Sequence, residues 1–146
     1  MHLLVFTLSD QRYALILSGV ERVVRSAEAA PLPKAPPVVT GIINVQGEIL
    51  PVMNLRQRFK LRARSPDIRD HMVIAKTSRR KVILPVEAVV GVLDFPEEQI
   101  VPSDQIAPHI EYVRGVAKLI NGIVLIHDLD TFLSLDEQAA LDEALQ

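Results

Sequence analysis

Apolar positions come in short continuous runs, not in helical stripes. Leu3-Leu4-Val5-Phe6, Tyr13-Ala14-Leu15-Ile16-Leu17, Met72-Val73-Ile74-Ala75 and Val82-Ile83-Leu84-Pro85-Val86 stand between corners rich in Ser, Asp, Asn, Gly or basic residues. Such runs predict short buried strands. Leu3–Leu8 and Arg12–Leu17 form a predicted hairpin through Ser9–Gln11, and Ile42–Val45 and Glu48–Val52 another across Gln46-Gly47. Leu119–Ile120 and Ile123–Ile126 form a third across Asn121-Gly122, a strong short-range hairpin signal.

The pattern occurs twice. Residues 3–24 align with 72–93 without a gap at a shift of 69, and Leu3-Leu4-Val5-Phe6 faces Met72-Val73-Ile74-Ala75. A second block aligns at a shift of 74. There Val39-Thr40-Gly41-Ile42-Ile43 faces Val113-Arg114-Gly115-Val116-Ala117, and Ile49, Val52 and Leu55 face Ile123, Ile126 and Leu129. Each repeat supplies about four or five strands, the content of a small closed barrel without exposed edges. The chain divides on this reading into halves near 12–65 and 80–135. Whether strand 3–8 crosses to the other half stays open.

Helix is scarce. Asn54–Phe59 spaces Leu55 and Phe59 for one or two turns, and Phe95–Ile100 has Pro96, Glu97 and Glu98 where a first turn accepts them. Ser134-Leu135-Asp136-Glu137 is a capping-box pattern before a short acidic helix with Leu141 and Leu145 on one face. Pro31, Pro33, Pro36 and Pro37 make residues 29–38 an extended loop, and residues 61–70 read as the link between repeats.

Composition narrows the function more than the fold. The 146 residues are 49% apolar, enough for one medium domain or two small ones. With 4% aromatics, no Trp and a net charge of −2, neither stacking platforms nor a general basic field exist for nucleic acid. With no Cys, disulfides, thiol catalysis and cysteine-bearing zinc sites are excluded. No apolar run approaches the roughly 18 residues of a membrane helix. Met1-His2 leads into Leu3–Leu8 with no basic n-region, so a signal peptide is not expected and a cytoplasmic location is.

Charge is polarised. Residues 56–81 carry ten basic side chains against Asp67 and Asp70, and residues 87–146 carry twelve acidic ones against Arg114 and Lys118. The two blocks are expected to be solvated faces that neutralise each other in the fold. The other reading is a molecule with opposite poles for head-to-tail contacts.

Candidate chemistry is sparse. His2, His71, His109 and His127 never stand four apart, no serine lies in Gly-x-Ser-x-Gly, and the six glycines are single. The densest polar cluster is His127-Asp128-Leu129-Asp130, which lacks a third convergent ligand for a metal or catalytic site. It reads as a strand end, with Asp130 accepting from backbone N–H groups of the next turn. No catalytic residue, metal or cofactor is expected.

Three stretches carry a resemblance. The hairpin Leu4–Leu8, the run Gly19-Val20-Glu21-Arg22-Val23-Val24-Arg25 and the string Gly41–Arg56 resemble the CheW-like chemotaxis coupling proteins. Val86–Val92, Tyr112–Leu119 and Leu125–Leu129 extend the likeness over nearly the whole chain. The resemblance implies a single CheW-like domain over residues 1–146, mainly β. Its two small SH3-like five-stranded β-barrels pack side by side, with a short C-terminal helix. It implies a cytoplasmic, non-catalytic adaptor between the tips of chemoreceptors and the regulatory domain of a CheA-type histidine kinase. Neither nucleic acid nor membrane insertion is implied. Carried over residue by residue, it implies receptor contacts at Val23, Val24, Arg25, Ile42, Asn44, Gln46 and Gly47. The implied kinase contacts are Glu48, Arg56, Val86, Val89 and Gly91. One departure bears on partners. The family's turn usually reads Asn-Leu-Arg-Gly, and here it is Asn44-Val45-Gln46-Gly47, which loses a charged fork. The alternatives are a CheW-like module of a dedicated non-flagellar pathway that binds a non-receptor partner, and a small-ligand-binding or enzymatic double barrel.

Overall fold

The runs of Val, Ile and Leu become eleven strands in the computed structural model, which describes residues 1–106 and 110–146. The strands are β1 (His2–Leu8), β2 (Gln11–Ile16), β3 (Val20–Arg25), β4 (Val39–Val45), β5 (Glu48–Met53), β6 (His71–Lys76), β7 (Lys81–Val86), β8 (Ala88–Asp94), β9 (Ile100–Pro102), β10 (Val113–Leu119) and β11 (Gly122–His127). Helices α1 (Leu55–Arg58) and α2 (Leu135–Ala144) follow the last strand of each repeat. One sheet runs β8-β1-β2-β11-β10-β9, the other β3-β6-β7-β5-β4. The first barrel is built on the five-stranded sheet. The second has a sixth strand, β9, beyond the five expected.

The two sheet orders are the same under the repeat alignment. Leu3 pairs with Ile16 and Met72 with Pro85, both moved by 69. Gly41 pairs with Val52 and Gly115 with Ile126, both moved by 74. Even the single parallel junction repeats, as Val52 beside Ile83 and Ile126 beside Ala14.

The division into halves 12–65 and 80–135 does not follow the sheets. The first barrel takes strands from one continuous stretch, residues 20–86, and the second takes β1 and β2 together with β8–β11. Each repeat thus gives its leading hairpin to the other barrel. Strand 3–8 lies in the second barrel, between β2 and β8.

Burial explains the exchange. Leu3 and Val5 face the core of the second barrel, while Leu4, Phe6 and Leu8 face the layer between the sheets. In the same way Met72 and Ile74 enter the core of the first barrel, while Val73 and Ala75 face that middle layer. Both hairpins are therefore covered on both faces, which is why their sequences read as continuous apolar runs without alternation. The middle layer is the largest core, and Phe132, Leu133 and Leu141 from the C-terminal segment complete it.

Two glycines fix the close approaches. A Cβ at Gly41 would overlap the Ala30 carbonyl, part of the isolated bridge between Ala30 and Ile42 that anchors the proline-rich loop. At the equivalent Gly115 a Cβ would come within 2.9 Å of Ile100 and 3.0 Å of the Val101 carbonyl oxygen on β9. The capping box predicted at Ser134 is present, and α2 buries Leu141 while Leu145 stays exposed. The charge blocks do meet: Arg56 pairs with Glu87, Arg58 with Glu137 and Arg80 with Asp142.

Candidate functional site

The hairpin tip of the first barrel is a tight turn made by Gln46 and Gly47, both at positive φ (51° and 92°). This mirror-image turn matches the twist of the flanking strands. Asn44 Oδ1 accepts from the Gly47 N–H at 2.8 Å and braces it. Gln46 points back to β3, where Arg22 Nη1 donates to its Oε1 at 3.0 Å. Lys81 adds a second clasp, with Nζ 2.9 Å from carboxylates of both Glu21 and Glu48. Hydrogen bonding to Glu21 and then to Glu48 raises the Lys81 ammonium above its ordinary value. These contacts tie β3 to the far edge of the sheet, where no backbone ladder joins β3 and β4.

The residues implied for receptor contact are therefore partly gathered. Arg25, Asn44, Gln46 and Gly47 are exposed, while Ile42 is half-buried. Val23 packs against the middle layer and Val24 into the first barrel's core. The kinase set is scattered. Glu48 sits on the same turn as Gln46, Arg56 at the waist between barrels, Val89 against the middle layer, and Gly91 at the bulge of β8 with φ 143°. Val86 does not belong to it. At 1% exposure it is a core side chain of the middle layer, because β7 is covered on both faces.

The waist carries two equivalent staples of opposite charge. Arg56 Nη1 donates to Ser9 Oγ at 2.8 Å, and the Ser78 N–H donates to Asp130 Oδ1 at 2.6 Å. Ser9 and Ser78, like Arg56 and Asp130, are repeat equivalents. The cap role expected of Asp130 belongs to Asp128, whose Oδ1 accepts from the Asp130 N–H at 3.3 Å. Asp128 is the counterpart of Asn54, which caps α1 through the Gln57 N–H at 3.1 Å. Among the described residues no group of three or more His, Asp or Glu is placed to hold a metal. His109 lies outside them.

Sequence reasoning missed the far end. The second barrel's tip turns at Ile120-Asn121, not Asn121-Gly122, because Leu119 already pairs with Gly122. Ile120 stands fully exposed, and Val90 and Ile123 are half-exposed. At the matching positions the first barrel has Gln46, Glu21 and Ile49. The alignment at shifts 69 and 74 contained this signal: the clasp Glu21–Arg22–Gln46 becomes Val90–Gly91–Ile120. The two equivalent ends thus differ at two of these three positions, while Ile49, like Ile123, is a half-exposed apolar side chain.

His127 closes β11 and is 4% exposed. Its ring stacks on Phe59 at 4.1 Å and meets Phe132 edge-on. Burial pushes its pKa down to about 4, against a weaker opposing effect of the Tyr112 carbonyl.

The comparisons with known proteins agree on one family. A model described as a CheW-like domain matches residues 2–137. The Chemotaxis protein CheW of Rhizobium meliloti is 29% identical over 140 residues, covering 94% of this chain and 90% of that protein. The Chemotaxis protein CheW of Treponema pallidum is 28% identical, covering 92% and 83%. The crystal structure of the scaffolding protein TtCheW from Thermoanaerobacter tengcongensis superposes with a TM-score of 0.83 at 28% identity, over 93% of this chain and 94% of that one. Two barrels with exchanged hairpins, matched from end to end, place this chain in the CheW-like domain family.

Proposed function

We propose that this chain is a non-catalytic adaptor of bacterial chemosensory signalling, coupling the cytoplasmic tips of chemoreceptors to the regulatory domain of a CheA-type histidine kinase. The observation that carries this reading is the end-to-end likeness of the whole two-barrel unit to a scaffolding protein. The unlike ends support it. A polar clasp at Gln46 and an apolar tip at Ile120 suit two partners of different chemistry, and charge and shape complementarity then set specificity. Val23, Arg25, Ile42, Asn44, Gln46 and Gly47 serve the receptor, with Val24 supporting β3 from beneath. Glu48, Arg56, Val89 and Gly91 serve the kinase. The adaptor works in the cytoplasm and takes no cofactor. No helix of the described residues is long and apolar enough to cross a membrane.

The test is titration calorimetry with the isolated regulatory domain of a CheA-type kinase, and co-sedimentation with receptor-tip fragments in the same buffer. Binding to both is expected. Ile120→Lys should weaken one partner and Asn44→Ala the other, by about tenfold each. Absence of binding to both partners at about 50 μM would overturn the reading.

A further inference from the structure

The repeat supplies a template for the Ile120 end. In the first barrel Lys81 Nζ stands 2.9 Å from carboxylates of both Glu21 and Glu48. The shifts of 69 and 74 carry those three positions to Arg12, Val90 and Gly122. The second barrel keeps the cation and lacks both anions. Among the described residues the Arg12 guanidinium touches only the turn. Its Nη2 lies 3.3 Å from Asn121 Oδ1 and 3.5 Å from the Asn121 carbonyl oxygen, both long for hydrogen bonds. It forms no ion pair among them, and Asp10 on the preceding turn does not supply one. A Cβ at Gly122 would sit 3.3 Å from Nη2, so the missing side chain leaves the guanidinium uncovered where Glu48 covers Lys81. Lys118, exposed at the place of Asn44, adds a second cation. The rest of this end is apolar, with Ile120 fully exposed and Val90 at 52% exposure.

We infer that this end docks a protein surface that sets one carboxylate side chain among apolar ones, and that the carboxylate seats on Arg12. A partner that covers Ile120 also covers the turn on which the guanidinium lies. Burying that charge without an anion would cost more than the apolar contact returns, so an acceptor must come from the partner. A guanidinium is weakly hydrated and offers a fork of donors, which suits it to such an interfacial pair. A partner with an uncharged apolar patch is thereby rejected, and Arg12 acts as a specificity residue. The inference rests on the adaptor reading and names the chemistry of one of its partners. That partner is the kinase regulatory domain, because Gly91 of the proposed kinase set lies beside Val90 on β8.

The experiment is titration calorimetry of the full chain against the isolated regulatory domain of a CheA-type kinase, with thermal melts of every variant as the check on folding. Arg12→Gln should weaken binding about tenfold or more, and Arg12→Lys by less, because it keeps the charge. Val90→Glu, at an exposed position, places a carboxylate where Glu21 stands in the first barrel. It should occupy Arg12 from within the chain and weaken the kinase about tenfold, while Arg12→Gln added to it costs little more. On the partner, neutralising its aspartates and glutamates singly should reveal one whose loss matters against the wild type and not against Arg12→Gln. Co-sedimentation with receptor tips should be unaffected by either variant. Kinase affinity that ignores both Arg12→Gln and Val90→Glu, or that couples to no partner carboxylate, overturns the inference and leaves the adaptor reading standing. Self-association of the chain that needs Arg12, with kinase binding independent of it, gives the seat to a second copy and also overturns it. Failure of the wild type to bind the kinase domain at all removes the adaptor reading, and the inference with it.

Discussion

Lowering the pH from about 8 to about 5 should cost the protein about 2 kcal/mol of stability through His127 alone. The ring is 4% exposed, and burial holds its pKa at about 4, against an ordinary value of 6.5. Between those values the unfolded chain binds the proton and the folded chain does not. Stability therefore rises with pH across the window, is fully present above the unfolded value, and is lost as pH falls toward about 4. Integrating the two titrations from about pH 8 to about pH 5 gives the figure of about 2 kcal/mol. The charged groups that share a cavity lining with His127 are Arg58, Lys60 and Glu111. The carboxyls of Asp67, Asp94 and Glu137 are all held low, so their losses fall below this window. For Glu137, burial works against the ionised form, and the Ser134 N–H and Arg58 outweigh it. Urea unfolding across the window is the assay. With a slope of about 1–3 kcal/mol/M, the wild-type midpoint should fall by about 0.7–2 M, and that of His127→Phe by much less. Parallel pH dependence in the two proteins would refute the reasoning, because the other histidines are common to both.

Gln46→Arg should lower stability by about 1 kcal/mol, since it replaces the acceptor of Arg22 with a second cation. Added salt should restore part of the loss in thermal melts, and an unchanged melt at low salt would count against the clasp. Val86→Ala should cost about 2–3 kcal/mol by opening a cavity in the middle layer, with kinase affinity unchanged in the folded fraction. An affinity loss at constant stability would instead return Val86 to the interface. Gly41→Ala should cost about 2 kcal/mol or more, because the clash is with backbone. Hydrogen exchange at the Ala30 and Ile42 amides should rise first, as those groups form the displaced bridge.

Periodicity and turn chemistry made most of the elements legible. The hairpins at 3–17 and 72–86 and the positions of Gly41 and Gly115 follow from local physics, and the pairing registers repeat the shifts of 69 and 74. What could not be read is which sheet each hairpin joins. A strand buried on both faces has no polar side to mark its neighbour, so residues 3–8 and 72–75 fit either barrel. Val86 is a different case: the resemblance alone implied a kinase contact there, in a run whose apolar pattern already predicts a buried strand. Asp128 and Asp130 stand two apart at a strand end, and only the cross-barrel contact to the Ser78 N–H separates cap from staple. Gln46 is legible as a turn residue, but its acceptor role toward Arg22 depends on how the barrel closes, which sequence spacing does not encode.

The exchange of hairpins also bears on how an adaptor could transmit force. A barrel that owned all its strands could swing on a linker, as domains joined by small interfaces do. Here β1 and β2 cannot leave the second barrel without pulling on β3 of the first, because only Leu17–Gly19 separates them. The return crossing from β7 to β8 is one residue, Glu87, which is held by Arg56 and by its own N–H to the Thr7 carbonyl at 3.0 Å. Two crossings this short, over a shared core, leave little freedom for hinge motion. The two ends should therefore move as one body. A partner bound at the Gln46 end then fixes the orientation of the Ile120 end, and geometry rather than flexibility passes between them. Specificity in such a block must come from side chains alone, and at equivalent backbone positions Gln46 and Ile120, or Arg22 and Gly91, present different ones.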